Sequence, residues 1–387
     1  MSTLIAGYAR TPFVKFNGQF KDVPAPVLGA HAIRAALSAA GIAPDAVQHV
    51  VAGQVLQAGV GQNPARQSAV GAGIPLTVPA ITVNAVCLSG MEAVVAGHRL
   101  IAAGEADVVV AVGQESMTLA PHALVGSRAG TKYGPATLVD TLEHDGLTDA
   151  FEKRSMGLST DEVNGGLKLT REEQDVFAAS SHARLAAADL SGEIAPFTVE
   201  GRTPVTVTED DGLRADTTAE SLGKLRAAFR EGGTITAGNS SQITDGAAAI
   251  VLVSSDYARE HGIAGLARVV SHALVAGPDV SLHSQPSNAI RAALARTGRG
   301  TADLVAVEIN EAFAAVGVQS TKDLAVDPAI VNANGGAIAL GHPIGASGTR
   351  IVGHLARRLA AEGPGSLGAA GICGGGGQGS AVILEAV

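Results

Sequence analysis

Residues 106–114, ADVVVAVGQ, form an almost unbroken apolar run of strand length, the pattern of a strand buried on both faces. Before it, residues 90–103 place Val94, Val95, Leu100 and Ile101 at helical spacing. Upstream again, AITVNAVCLSG (80–90) is a β-rich run entering a turn, so Cys87 falls at a strand-to-helix junction. Near the C-terminus the strand-like LGAAGI (367–372) enters CGGGGQG, and QGSAVILEAV continues as a further strand.

The plan occurs twice. Residues 88–113 align without a gap on residues 346–371, matching Ser89 to Ser347, Gly90 to Gly348, Arg99 to Arg357 and Gly113 to Gly371 at an offset of 258. PDAVQHVVAG (44–53) meets ADLVAVEINE (302–311) in the same register. Two segments sharing one offset predict a duplicated α/β domain. Between the copies the texture is turn-rich and more charged, with a helix opening on the capping box TREEQ (Thr170, Glu173). DGAAAIVLVSSDYA (245–258) then returns to the first core. The expected units are residues 1–118 with 246–267, an inserted loop domain at 119–245, and residues 268–387.

Composition narrows the function. A chain of 387 residues, 46% hydrophobic and 16% charged, builds two or three packed units. The net charge of −9, without a basic tract, argues against a nucleic-acid surface. No segment has 18 uninterrupted apolar residues and the N-terminus lacks a secretory pattern, so a cytoplasmic protein without membrane contact is expected. Two cysteines make neither a disulfide framework nor a zinc site, which leaves two free thiols and no metal.

Those thiols carry the candidate chemistry. Cys87 precedes a helix, whose unpaired N–H groups and dipole are expected to lower its pKa and favour a thiolate nucleophile; a small core-filling cysteine is the alternative. His342, in NANGGAIALGHPIGASG (332–348), stands in the copy's equivalent of the Cys87 turn and faces the same crevice as a potential base. Asn310 and Glu311 follow the strand LVAV, where α/β sites gather, though polar residues there also simply begin loops. Cys373 enters a glycine run that opens no helix and is therefore no dinucleotide fingerprint. Its backbone N–H groups fit an oxyanion nest better than a phosphate loop.

In combination, GYARTPF, VLQAGVGQNPARQ, NAVCLSGMEAV, VGQESM, TAGNSSQITDGAAA, NEAFAA, NGGAIALGHPIGASG and CGGGGQG resemble the thiolase family, nearly end to end and in its acetyl-CoA acetyltransferase branch. The resemblance implies an α/β thiolase fold, in which duplicated α/β/α halves form a five-layered core around a pseudo-twofold axis, with an inserted loop domain that binds coenzyme A. It implies Cys87 as nucleophile, His342 as its activating base, Cys373 as the acid/base for the α-proton, and Asn310 as holder of a water in one oxyanion hole. The backbone N–H groups of Cys87 and Gly375 form the other hole. Acetyl-CoA, acetoacetyl-CoA and CoA are then substrates, and no cofactor is required. Leu147, Met156, Arg214, Ala237, Gly238 and Ser241 match the ligand-binding positions, with Phe313 closing the acyl end and Lys224 and Arg226 joining Arg214 in a basic rim. SRAGTKYG resembles the family's tetramer-forming loop and implies a homotetramer. Ser155 departs from a histidine found in biosynthetic members, and SLHSQPSNAI (281–290) from a glycine- and proline-rich segment. The first changes the pantetheine contact and the second bears on acyl length, and a longer-chain 3-ketoacyl-CoA thiolase is the alternative. A ketoacyl-carrier-protein synthase lacks the terminal Cys-Gly-Gly pattern, and a non-catalytic acyl-CoA carrier would have lost one of the four reactive groups.

Overall fold

The computed structural model describes residues 2–387. The main strands are β1 (Thr3–Arg10), β2 (His49–Gly53), β3 (Ala80–Val83), β4 (Val108–Glu115), β5 (Thr244–Ser254), β6 (Ala267–Ala276), β7 (Leu304–Ile309), β8 (Leu367–Gly374) and β9 (Gln378–Ala386). The helices that matter here are α1 (Ala25–Ala40), α2 (Pro64–Gly71), α3 (Ser89–Ala102), α4 (Met156–Asn164), α5 (Arg171–Ala187), α6 (Gln285–Ala295), α7 (Ala314–Leu324) and α8 (Ser347–Glu362).

The strands run in the order β7-β8-β9-β6-β1-β5-β4-β2-β3, with the short pair Val14–Lys15 beside Thr244 and Asp245. From the middle outward each half repeats one scheme. In the first, β1 pairs antiparallel with β5, β5 antiparallel with β4, and β4 and β3 flank β2 in parallel. In the second, β6 pairs antiparallel with β9, β9 antiparallel with β8, and β8 parallel with β7, beyond which Val331 makes one parallel bridge to Val307 in the place of β3. The two half-sheets meet where Leu4 pairs with Arg268 and Ile5 with Ala267. The repeat found in sequence is thus a repeat in space.

Three apolar clusters stack through the molecule. One lies between α1, α2 and the first half-sheet, and another between the second half-sheet and α6. The middle cluster joins both half-sheets through α3 and α8. The result is five layers, α/β/α/β/α, and the all-apolar strand patterns follow from coverage on both faces. Burial of β4 and β5 is complete along their length.

α3 and α8 approach each other at their N-terminal ends through glycine. A Cβ on Gly90 would lie 2.7 Å from Gly345 O and 2.8 Å from Thr349 N, and one on Gly348 would lie 2.9 Å from Met91 Cβ. Thr349 Oγ1 donates to Gly90 O at 2.8 Å across the same contact. Side chains at either position would drive the helix ends apart, and with them the two turns that precede the helices.

The segment between β4 and β5 folds over one end of the core. Its α5 carries the predicted box: Thr170 Oγ1 accepts from Glu173 N–H at 3.1 Å, and the Glu173 carboxylate accepts from Thr170 N–H at 2.9 Å. Arg10, fully buried at the end of β1, ties this segment down through Glu193 (2.7 Å) and Asp210 (2.6 Å). Among the described residues no helix is long and apolar enough to cross a membrane.

Candidate active site

The β-rich run beginning at residue 80 is strand as far as Val83 and then turns into α3, as expected. Val86 has φ +53°, a conformation a β-branched residue rarely adopts. It is held there by its N–H donating to Asn84 Oδ1 (2.9 Å) and its carbonyl accepting from Ser89 Oγ (2.6 Å). Strain fixed by surrounding bonds marks a position that must be aimed, and the residue aimed is Cys87.

The equivalent turn of the second half carries His342. Its N–H donates to Gln242 O (3.0 Å), and Gly341 before it has φ +100°, with no room for a Cβ beside Thr244. Ser347, first residue of α8, lies with its Oγ 2.6 Å from His342 Nδ1 and 3.0 Å from Pro343 O. A hydroxyl has one proton. Given to the carbonyl, it leaves the oxygen to accept from Nδ1–H, so the lone pair is assigned to Nε2. Asn310 agrees, since its Nδ2 is 3.5 Å from Nε2, while its own Oδ1 has no partner. Burial first, then the Arg350 charge, pushes the imidazole down to about 3, so it is neutral at physiological pH.

Cys373 is the penultimate residue of β8, opposite Gly379, and is 1% exposed. Gly375 to Gly377 form the connection to β9, with φ +78° at Gly376 and +69° at Gly377. A Cβ at Gly374 would sit 2.7 Å from Leu88 Cγ. The glycine run is therefore a close-approach device that lets the hairpin lie against the Cys87 turn, where the Gly375 N–H reaches the Cys87 sulfur.

The thiols behave differently from the sequence expectation. Burial pushes Cys87 up to about 12, although the N–H groups of Cys87 and Gly375 pull the other way. Cys373 is raised as well, by burial and then by the nearby Cys87 sulfur. Helix-end stabilisation of a thiolate is outweighed because residues distant in the chain, among them Leu56, Met117, Ile344 and Gly375, cover the turn, and that cover is invisible along the local sequence. Cys87 keeps some exposure, whereas Cys373 is covered. At rest both are thiols.

His342 opens onto a cavity of about 670 Å³ lined also by Leu147, Met156, Arg214, Ala237, Ser241 and Phe313. Ser155 caps α4 by accepting from Leu158 N–H, which sets Met156 at the cavity wall. Ser241 holds the loop after Asn310 through Ala312 O (3.0 Å). Phe313 meets Phe229 edge-to-face at 6.2 Å. Gly238 does not line the cavity: it lies under Leu222 and Leu225, and its N–H donates to Thr236 Oγ1. Lys224 pairs with Glu220, and Arg226 belongs to a separate depression, so of the expected basic rim only Arg214 is on the wall. Lys15, which sequence reasoning missed, supplies the second cation there.

Two more residues were missed. Ser347 was signalled by its match to Ser89 in the repeat. Glu115, fully buried at the end of β4, accepts from the N–H groups of Val55, Leu56 and Gly345, and burial raises it to about 8. It thereby ties loops of both halves beside Cys87; nothing in its local sequence indicates this. Glu311 is locked by Ser181, Asn332 and the Ile338 N–H, so it supports the loop instead of facing the cavity.

Residues 3–256 match the family model for the thiolase N-terminal domain, and residues 263–386 that for the thiolase C-terminal domain. The chain belongs to the thiolase family. This thiolase is 53% identical to a probable acetyl-CoA acetyltransferase of Mycolicibacterium smegmatis, over 99% of this chain and 100% of that one. It is 45% identical to the acetyl-CoA acetyltransferase of Chromobacterium violaceum over the whole of both. Its fold superposes on the crystal structure of the Bacillus anthracis acetyl-CoA acetyltransferase with a TM-score of 0.96 at 36% identity, covering 100% of this chain and 99% of that one. Human mitochondrial 3-ketoacyl-CoA thiolase gives 0.95 at 37% identity, with the same coverage. As in that family, the two halves carry a thiolase acyltransferase.

Proposed function

We propose that this thiolase is an acetyl-CoA C-acetyltransferase, interconverting two acetyl-CoA with acetoacetyl-CoA and CoA through an acetyl group on Cys87. What supports the reading is that Cys87 neighbours both Cys373 and the Gly375 N–H, and packs against Met117 and Ile344, which line the same cavity as a neutral His342.

In the cleavage direction His342 Nε2 takes the Cys87 proton as the sulfur attacks the 3-keto carbon of acetoacetyl-CoA. The tetrahedral oxyanion gathers the N–H groups of Cys87 and Gly375, each worth about 3 to 4 kcal/mol in such holes. The bond between C2 and C3 breaks, and Cys373 gives its proton to the departing carbanion, releasing acetyl-CoA. The Cys373 thiolate then takes the proton of incoming CoA, whose sulfur attacks the acetyl-Cys87 carbonyl, and the Cys87 sulfur recovers its proton from imidazolium. Condensation is the reverse. Thioester exchange at sulfur conserves the acyl-transfer potential that a serine ester would lose. Asn310 serves the thioester oxygen of the second substrate, beside Nε2. Ping-pong kinetics follow.

Arg214 and Lys15 suit the anionic end of CoA, and the apolar wall suits pantetheine. Reducing cytoplasm keeps both thiols free. Exposed Leu124, Val125, Tyr133 and Leu138 support a homotetramer, checked by sedimentation equilibrium. The longer-chain alternative is favoured by the likeness to the human 3-ketoacyl enzyme. Mass spectrometry after incubation with acetyl-CoA tests the main reading: an acetyl group on Cys87 supports it, and its absence refutes it.

A further inference from the structure

Arg214 reaches the cavity wall from a strap, residues 210–217, that leads into the short helix Ala219–Gly223. The first part of the strap is pinned. Asp210 accepts two bonds from Arg10 (2.6 and 2.8 Å) and one from Phe13 N–H (2.7 Å), Asp211 accepts from Lys15 N–H (2.7 Å), and Gly212 O accepts from Gln242 Nε2 (2.9 Å). Beyond it, Leu213 to Asp216 are exposed. Among the described residues, the one hydrogen bond tying this stretch to the body of the molecule runs from Arg214 N–H to His182 Nδ1 (3.2 Å).

His182, 3% exposed on α5, suits that bond. An amide only donates, so Nδ1 carries the lone pair and the ring proton is assigned to Nε2. Burial first, then the Arg214 charge, push the imidazole down to about 4, which keeps the lone pair available at physiological pH. Its neighbour Ser181 donates to Glu311 Oε2 (2.7 Å) and accepts from Gly336 N–H (3.0 Å), in the loop that leads to His342. Two adjacent residues of one helix thus hold the reactive end of the cavity and its cationic rim in a fixed relation.

We propose that His182 is a positioning residue for coenzyme A: it aims Arg214 at the phosphates of the nucleotide end, and so lets the enzyme prefer CoA over a thiol that lacks them. The inference rests on the reading of Arg214 given above. Arg214 has a long side chain on exposed backbone, so without the tether the ligand would have to order the strap as well as the guanidinium, and affinity would fall.

The test follows thiolysis of acetoacetyl-CoA by the full-length enzyme with CoA and with pantetheine, which has the same thiol arm and no phosphate. In a ping-pong reaction kcat/KM for the accepting thiol reports its own half-reaction. Full loss of a charge-assisted hydrogen bond weakens binding by about tenfold or more, so His182→Leu should lower the CoA-to-pantetheine ratio of kcat/KM by about fivefold or more. His182→Asn, whose Oδ1 stands where Nδ1 stood, should keep the ratio within about twofold of wild type. Arg214→Gln should lower the ratio at least as far as His182→Leu, and His182→Leu should then add nothing in the Arg214→Gln background. An unchanged ratio in His182→Leu, or in His182→Ala should the leucine protein not fold, overturns the proposal. So does a His182→Asn enzyme as impaired as His182→Leu, or a His182→Leu effect that persists without Arg214. Failure of the underlying reading is separately visible, because Arg214→Gln would then keep the wild-type ratio.

Discussion

Replacing Ser347 by alanine separates the orientation of His342 from its presence. The serine is 1% exposed and the imidazole 6%, so no bulk water replaces the lost hydroxyl. The 2.6 Å bond to Nδ1 disappears, while Pro343 O still accepts from the N–H groups of Ala346 and Ser347. A buried donor left without a partner costs about 1–3 kcal/mol. The cost is greater once the ring is protonated, since bonds to charged groups are roughly twice as strong as neutral ones. The penalty therefore falls mainly on the step in which imidazole becomes imidazolium. At about 1.36 kcal/mol per decade, kcat for acetoacetyl-CoA thiolysis should fall by about 5- to 150-fold, with KM nearly unchanged. Single-turnover acetylation of Cys87 should slow by the same factor, and Ser347→Thr should recover most of it. A Ser347→Ala enzyme within twofold of wild-type kcat, or one changed in KM alone, would refute the tautomer assignment.

Three further outcomes are expected. Cys373→Ser should still accept an acetyl group at Cys87 yet lose condensation and exchange of the acetyl-CoA α-protons with solvent deuterium, and unchanged condensation would remove Cys373 from its role. Glu115 has its folded pKa raised from 4.5 to about 8, so its contribution to stability is present below about pH 4.5 and is lost as pH rises through 8, by at most about 5 kcal/mol; thermal unfolding at pH 5 to 9 should show this slope, and Glu115→Gln should flatten it. Gly90→Ala should destabilise the fold by about 2 kcal/mol or more and depress kcat, because the new carbon meets the Gly345 carbonyl at 2.7 Å; a melting temperature equal to wild type would contradict the packing described.

Much of this was legible from the chain. The shared offset of Ser89 with Ser347 and Gly90 with Gly348 marked helices that do occupy equivalent places, and the strand-turn-helix pattern placed Cys87 on its turn. Capping of α5 was read from five residues, because a capping box is local chemistry. What remained hidden depends on distant chain. The upward shift of the Cys87 thiol comes from burial under residues distant in the chain, and the cation at Lys15 reaches the cavity from near the N-terminus. Lys224 and Arg226 had the right charge in the right segment, but their placement is decided by how the segment folds. Gly238 matched a ligand-binding position, yet its amide is spent on Thr236.

The bare backbone where the two central helices begin has a further consequence. Cys87 and His342 sit on separate halves with no hinge between them, so the distance between them has no adjustable part. It is set by two absent methyl groups, one contributed by each copy of the repeat. Any lineage of this chain is thus free to rebuild its outer layers and its surface loops, while the gauge between sulfur and imidazole stays cut into the innermost layer.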